Sequence, residues 1–111
     1  MFAFRLFLLS LFITLAIYTP LVIAQHGWGL FQQFFGDMAA MTWPGQFNLD
    51  FMGFLLLSGL WTLWRNGFAA FSWPLALLAV LGGIPYLTAY LLILSFTTGG
   101  DLRRMILGVN A

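Results

Sequence analysis

Three long stretches of this chain carry almost no charge, and each is long enough to cross a lipid bilayer as a helix. A hydrocarbon core about 30 Å thick takes about 20 helical residues. The stretches lie at about residues 4–25, 47–65 and 73–97, with Arg5 and Arg65 close to their ends. These positions predict three transmembrane helices.

The composition of the whole chain points to the same class. Hydrophobic residues make up 62% of the chain and charged residues 6%, whereas a soluble domain carries about 25% charged residues. A chain with this balance would expose most of its apolar surface in water, which excludes a water-soluble globule. We therefore predict a single membrane domain over residues 1–111, without an internal repeat.

The connector between the first two stretches is too apolar for a solvated loop. An amphipathic helix at about residues 30–42, lying in the membrane interface, accounts for its pattern. We expect a turn at residues 43–45 to redirect the chain into the second span. The predicted fold class is an all-α membrane protein, with three transmembrane helices and a short interfacial helix between the first and the second. The apolar residues at helical spacing are Trp28, Phe31, Phe34, Phe35, Met38 and Met41.

Residues that commonly end helices occur at the predicted boundaries. Asn48 is expected to cap the second span, and Asn66-Gly67 to close it with a left-handed residue. Ser72 is expected to cap the third span, with Pro74 in its first turn. Asp101 is expected to cap a short C-terminal helix.

The first stretch also has the features of a secretory signal peptide. Arg5 precedes an apolar run, and Val22, Ile23 and Ala24 before Gln25 imitate a small-residue cleavage site. We interpret the stretch instead as a helix that is retained in the membrane.

The positions of the arginines indicate which ends of the three spans face the cytoplasm. Three spans place Arg5 and Arg65 on one side and Arg103 and Arg104 on the other, so the positive-inside count is a tie. The connector at residues 25–47 contains no Arg or Lys. We therefore expect a cytoplasmic N-terminus, with the connector and the C-terminus outside.

Asp50 is the most informative polar residue, because it is the one carboxylate within a predicted span. A charged side chain near the centre of a membrane helix costs about 2.5–3.5 kcal/mol on insertion scales. Directly after an Asn48 cap, Asp50 would lie in the first helical turn, where the helix dipole favours an anion. Two interpretations stay open: a helix-start residue, or a site for a proton, a cation or a ligand amine.

His26 and Tyr18 are further candidates near the end of the first span. His26 is the only imidazole of the chain, and with Trp28 beside it could ligate the metal of a haem or chlorophyll. The alternative is an interfacial histidine that faces water and headgroups. Tyr18 is a candidate either for ligand contact or for packing within the chain.

The third span carries a set of residues that suit a kink or a pocket. Pro85 removes a backbone hydrogen bond, and glycines before it permit close approach by a neighbouring helix. Tyr86 and Tyr90 follow the kink and could line a ligand pocket, although packing within the chain explains the same residues. The packing candidates are Ala79, Gly82, Gly83 and Pro85.

Several classes of activity lack the residues that they need. The absence of Cys excludes disulfides, thiolate metal sites and Cys nucleophiles. A net charge of +1 without a basic stripe argues against a nucleic-acid partner. No acid–base pair, metal-ligand spacing or phosphate-binding glycine loop is present, so we predict no catalytic residue, no metal site and no enzyme activity.

Short motifs along the chain resemble those of small bacterial membrane proteins. They are Tyr-x-Pro at Tyr18, Phe-x-x-Asp at Phe47, a Trp at Trp64 and Gly-x-x-Pro-Tyr at Gly82. In these motifs the chain is similar to integral membrane families that are known only as domains of unknown function. The resemblance implies a small helical protein of the bacterial inner membrane, and it supplies no activity.

Three hypotheses for function follow. The first is a noncatalytic subunit or assembly factor that packs against a larger membrane complex or a second copy of itself. The second is an oligomeric carrier or channel for a small solute or ion, built around Asp50, Tyr86 and Tyr90. The third is a binder of a hydrophobic cofactor such as a quinone, carotenoid or chlorophyll. In each case membrane lipids surround the protein, and a bound lipid, quinone or pigment is the cofactor to look for.

Overall fold

A computed structural model describes the whole chain from Met1 to Ala111, and all of its regular structure is helical. Three of its helices are long and apolar enough to cross a membrane, and a short helix lies between the first and the second. The predicted all-α class is therefore confirmed, with three long apolar helices and a short helix between the first and the second. The elements are α1 (Phe2–His26), α2 (Leu30–Ala40), α3 (Trp43–Arg65), α4 (Ser72–Thr97), α5 (Leu102–Leu107) and a final 3-10 turn (Gly108–Asn110).

The start of α3 differs from the prediction. The helix begins at Trp43, so residues 43–45 form its first turn and do not redirect the chain. Pro44 suits this position, because the first turn of a helix leaves its N–H groups without a partner within the helix. The change of direction occurs earlier, at Met41, which has a left-handed conformation, and at Thr42, which is extended.

Asn48 therefore lies inside α3 and does not cap it. Its side-chain amide donates hydrogen bonds to the carbonyl oxygen of Phe34 at 3.1 Å and to the carboxylate of Asp37 at 3.5 Å. At Gly45 the two helices are in backbone contact, since a Cβ there would overlap the carbonyl group of Asp37. The side of α3 that carries Gly45 and Asn48 is thus covered by α2.

The other helix ends follow the prediction more closely. Gly67 closes α3 with a positive φ of 63°, and the Asp101 carboxylate caps α5 by accepting from the amides of Arg103 and Arg104. Ser72 is the exception, because it is the first residue of α4 and makes no cap. Its hydroxyl donates instead to the carbonyl of Ala69, at 2.6 Å.

The long helix α4 is broken at Gly83, which has φ 58° and ψ −136°. Pro85 follows two residues later and has no N–H to donate, so the kink predicted there is present. Up to this point α4 runs antiparallel to α3. Gly59 of α3 lies against Ala76 and Val80, whereas Gly83 lies against Phe51 and Leu55, nearer the start of α3.

Beyond Gly83 the chain turns back along α3. Tyr86 is hydrogen-bonded to Thr62, and Tyr90 is hydrogen-bonded to Asn66. From Tyr86 to Tyr90 the partner moves from Thr62 to Asn66, so residue numbers rise in the same direction on both segments. The second half of α4 therefore runs parallel to α3. The two halves of α4 therefore run in opposite directions.

This reversal gathers both chain ends at one end of the molecule. Arg5 of α1 donates to the hydroxyl of Ser95 at 3.0 Å and to its carbonyl at 2.8 Å. At the other terminus, Asn110 donates to the carbonyl of Trp64 at 3.0 Å. We call this the arginine end, because it contains Arg5, Arg65, Arg103 and Arg104, and we call the opposite end, at residues 26–45, the connector end.

The expected division of the arginines between two sides is therefore wrong in this fold. That expectation treated the third span as a helix that ends on the side opposite its start. The break at Gly83 returns the chain to the side from which α4 began, so α5 and its two arginines come to lie beside Arg65.

Little of the chain is buried within itself. Only 12 of the 111 residues are buried. The α1 helix packs against α4, and α4 against α3. From Ala16 to Gly29 every residue except Ile23 is exposed, so the second half of α1 has no helix packed along it.

Candidate functional site

Five polar side chains meet between α3 and the second half of α4, close to the arginine end. Two of them lie three residues apart in α3, a third directly follows that helix, and the two from α4 lie four residues apart, so each helix contributes from one face. We call this group the tyrosine cluster. Its members are Thr62, Arg65, Asn66, Tyr86 and Tyr90.

Hydrogen bonds and stacking hold the two tyrosines in place. The hydroxyl oxygens of Tyr86 and Thr62 are 3.0 Å apart, and Thr62 is fully buried. The hydroxyl of Tyr90 accepts from the side-chain amide of Asn66 at 2.9 Å. The two tyrosine rings stack with their centroids 5.5 Å apart, and Trp61 meets Tyr90 edge-on. The cluster is therefore a connected polar network between otherwise apolar helices.

Arg65 joins this cluster to the C-terminal helix. It is buried, and its Nε donates to the carbonyl of Met105 and its Nη2 to the carbonyl of Arg104, at 2.6 and 3.1 Å. Its Nη1 contacts the side-chain oxygens of Asn66 and Tyr90. All of these acceptors are neutral, but the last carbonyls of a helix carry partial negative charge that stabilises a cation. Arg65 thus anchors α5 against α3.

Arg65, Thr62 and Asn66 were not among the predicted site residues. Their partners lie 39 to 40 and 24 residues away in the sequence, and nothing in a single helix indicates such a pairing. The usable signal was an Arg followed by an Asn at the end of an apolar helix. That pattern predicts a helix end, and it does not reveal a binding partner.

The tyrosines and Asp50 are not brought together in one chain. Asp50 precedes Thr62 by twelve residues on α3, which corresponds to about 18 Å of helix rise. Tyr86 and Tyr90 bond to the C-terminal end of α3. A transport pathway around all three residues would have to be assembled from more than one copy.

Asp50 lies on a side of α3 that none of the other helices covers. It is the eighth residue of the helix, not a first-turn residue, so the helix-start interpretation is wrong. Asn48 faces α2 and Phe51 faces α4. At about 100° per residue, Asp50 points away from both neighbours. Its side chain is exposed and makes no hydrogen bond within the chain.

His26 lies beside a cavity of about 820 Å³ between the end of α1 and α2. Its polar lining includes His26, Gln32, Gln33 and Asp37, and its apolar lining includes Val22, Ile23 and Leu30. The Asp37 carboxylate accepts from the amide of Gln33 at 2.9 Å. Tyr18 is exposed on α1 and does not line this cavity.

The packing candidates lie around the break in α4. Ala79 is fully buried, and a Cβ built on Gly83 would lie 3.2 Å from the ring of Phe51. A Cβ on Gly82 would lie 2.9 Å from Cβ of Tyr86, which is on the returning half of the helix. The small residues thus permit the bend and its contact with α3.

A double-mutant cycle tests whether the Thr62–Tyr86 contact stabilises the fold. Thr62→Val is expected to lower the free energy of unfolding by about 1–3 kcal/mol, because the Tyr86 hydroxyl loses its partner. Tyr86→Phe should cost about 0.5–1.5 kcal/mol, because the Thr62 hydroxyl keeps its hydrogen bond to the carbonyl of Ser58. The double variant should lose less than the sum of the two single changes. Unfolding in detergent micelles measures all three, with the exposed Tyr18→Phe as a control that should be neutral. Strictly additive effects would show that the hydroxyls do not interact.

Comparisons with protein-family models, curated proteins and solved structures give no match to this chain. The resemblance to small bacterial membrane proteins therefore still depends on the short motifs alone. The candidate sites are accordingly defined by the geometry of the chain itself.

Proposed function

We propose that this chain is a noncatalytic integral membrane subunit or assembly factor that packs against a larger membrane complex or a second copy of itself. The observation that carries the proposal is the position of Asp50. Its carboxylate faces outward from a long apolar helix and has no hydrogen-bond partner in its own chain.

The depth of Asp50 makes an unpartnered state costly. It lies seven residues after Trp43, about 10 Å of rise from the start of α3. Side chains on a helix tilt toward its N-terminus, so the carboxylate leans toward the connector end, and this reduces the cost. All four arginines are at the opposite end, so no arginine of this chain or of a parallel copy lies at that depth. A partner that donates hydrogen bonds to the carboxylate would remove the remaining cost.

The second half of α1 provides further uncovered surface. Ile17 and Leu21 expose 60% and 56% of their surface, and no helix packs along them. Lipid chains cover such side chains as well as protein does. This surface is therefore consistent with a protein partner, but it is not evidence for one. Asp50 is the feature for which lipid is a poor neighbour.

Native mass spectrometry in mild detergent tests the proposal. The wild-type chain is expected to appear with a defined partner or in a fixed copy number, and Asp50→Ala should lose that assembly. Leu49→Ala is the matched control, because Leu49 is equally shallow, is exposed on another side of α3, and carries no charge. A wild-type chain that is always monomeric would overturn the proposal, as would an assembly that Asp50→Ala leaves intact.

The cavity beside His26 favours a second candidate function, the binding of a hydrophobic cofactor. Its volume of about 820 Å³ lies within the 300–1,000 Å³ typical of ligand pockets. Gently purified protein should then contain a quinone, carotenoid or chlorophyll in a stoichiometric amount, and His26→Leu should reduce it. A colourless extract that contains only phospholipid would remove this candidate.

Transport through Asp50 is the remaining alternative. It predicts that Asp50→Asn abolishes flux of the solute or ion while the assembly persists. Unchanged flux in that variant would exclude it.

We also propose that the arginine end faces the cytoplasm of a bacterial cell, with the protein in the inner membrane. The positive-inside rule supports this orientation, because the four arginines lie at one end and the connector end contains no Arg or Lys. The bacterial membrane is proposed from the resemblance in the motifs. Both chain termini are then cytoplasmic.

A further inference from the structure

The two halves of α4 are each too short to cross a bilayer. Residues 72–82 form a helical segment about 16 Å long, and residues 84–97 form one about 21 Å long. A hydrocarbon core is about 30 Å thick. Residues 43–65 of α3, in contrast, extend over about 34 Å.

The point of reversal lies near the middle of α3. Gly83 contacts Phe51 and Leu55, and the helix that carries them begins at Trp43 and ends at Arg65. If α3 crosses the membrane, the bend in α4 is close to the bilayer midplane.

A broken backbone at that depth needs protection from lipid. Irregular backbone is tolerated within a membrane only where protein or water covers it. Gly83 is packed against Phe51, and Pro85 has no N–H that would be left without an acceptor. Protein therefore covers the bend on the side of Gly83, while Leu81 and Gly82 are exposed on its other side.

We infer that α4 is a re-entrant hairpin, which enters and leaves the membrane at the arginine end, so that this end forms one surface for anionic lipid headgroups. Only α1 and α3 then cross the bilayer. All four arginines lie in one leaflet, where Arg103 and Arg104 are exposed on α5. The one acidic side chain at this end, Asp101, is engaged in capping α5.

The C-terminal helix has the side chains that such a surface needs. Leu102 and Ile106 are exposed at a spacing of four residues, so they share one face of α5 that can enter the lipid. Arg103 and Arg104 extend from the same short helix toward the headgroups. Basic side chains beside an apolar face are typical of segments that bind anionic leaflets.

Single-cysteine labelling tests the topology, and the chain suits it because it contains no native Cys. Phe71→Cys precedes α4, Ala111→Cys follows it, and Gln32→Cys reports the connector end; all three positions are exposed. A membrane-impermeant maleimide, added to sealed vesicles of defined orientation, should label Phe71→Cys and Ala111→Cys from the same side and Gln32→Cys from the other. Labelling of Phe71→Cys and Ala111→Cys from opposite sides would mean that α4 crosses the membrane and would overturn the inference.

Reconstitution into vesicles tests the headgroup surface. Phosphatidylglycerol in a phosphatidylcholine vesicle should raise the thermal unfolding midpoint of the wild type, but not that of the double variant Arg103→Gln/Arg104→Gln. The double variant with Lys at both positions keeps the charge and should respond like the wild type. An equal response from all three proteins would contradict the assignment. Neither experiment requires a protein partner, so each can fail or succeed independently of the proposed subunit function.

Discussion

Gly83→Val is expected to abolish the native bend in α4 and to destabilise the whole fold. Gly83 combines a φ of 58° with a ψ of −136°, a backbone region that residues with a Cβ reach only at a cost of about 1–3 kcal/mol. The new side chain would also press on Phe51, because Cβ alone would lie 3.2 Å from its ring. Since the bend brings Tyr86 back to Thr62, the cluster between α3 and α4 should be lost with it.

The free energy of unfolding in detergent micelles measures this effect. Gly53→Val is the matched control, because Gly53 lies within α3 and nothing approaches within 4 Å of a Cβ built there. The control should remain close to wild-type stability, since valine and glycine differ little in cost within a helix. Equal stability of the two variants would show that the bend does not depend on a glycine at position 83.

Arg65→Leu is expected to release α5 from the rest of the protein. The substitution removes the hydrogen bonds to the carbonyls of Arg104 and Met105, and bonds that involve a charged group contribute about 1.5–3 kcal/mol each. The α5 helix has six residues, far fewer than an isolated helix needs to be stable in water. Without its anchor, the segment should therefore unfold locally while the long helices remain.

Limited trypsin digestion after Arg103 and Arg104 reports this release. Cleavage should be at least about tenfold faster in Arg65→Leu, because a loss of 1.4 kcal/mol of local stability raises the open population tenfold. Trp61→Phe removes a single hydrogen bond to α5, from the Trp61 indole to the carbonyl of Ile106, and keeps a ring beside Tyr90, so its effect should be smaller. If trypsin cut Arg65→Leu and wild-type protein at the same rate, Arg65 would not be the anchor.

The long helices were predictable because a bilayer imposes its thickness on the sequence. An uncharged run of sufficient length has few alternatives to a helix, and the short helix α2 follows from apolar residues at helical spacing. The cap at Asp101 was also predictable, since its carboxylate bonds to amides two and three residues away. Such features depend on neighbours in the sequence.

The features that were missed depend on contacts between distant residues. Asn48 is a good capping residue, yet it lies inside α3 because Pro44 allows the helix to begin earlier and α2 supplies acceptors for its amide. A kink near Pro85 was predictable, but its direction is decided by contacts with α3. The return of Tyr86 to Thr62 is such a contact. The placement of the arginines at one end follows from this reversal, so it could not be predicted from the sequence.

The distance between spin labels at Leu49 and Ile93 tests the reversal of α4 most directly. Both side chains are largely exposed, and the chain has no Cys that would compete for the label. The returning half of α4 places Ile93 beyond Arg65, so the helix rise alone separates the labels by more than about 24 Å. A straight α4, antiparallel to α3, would instead bring Ile93 beside the start of α3. Pulsed electron paramagnetic resonance should therefore give a distance above about 24 Å, and a distance below about 15 Å, near the 8–10 Å spacing of packed helices, would contradict the fold described above.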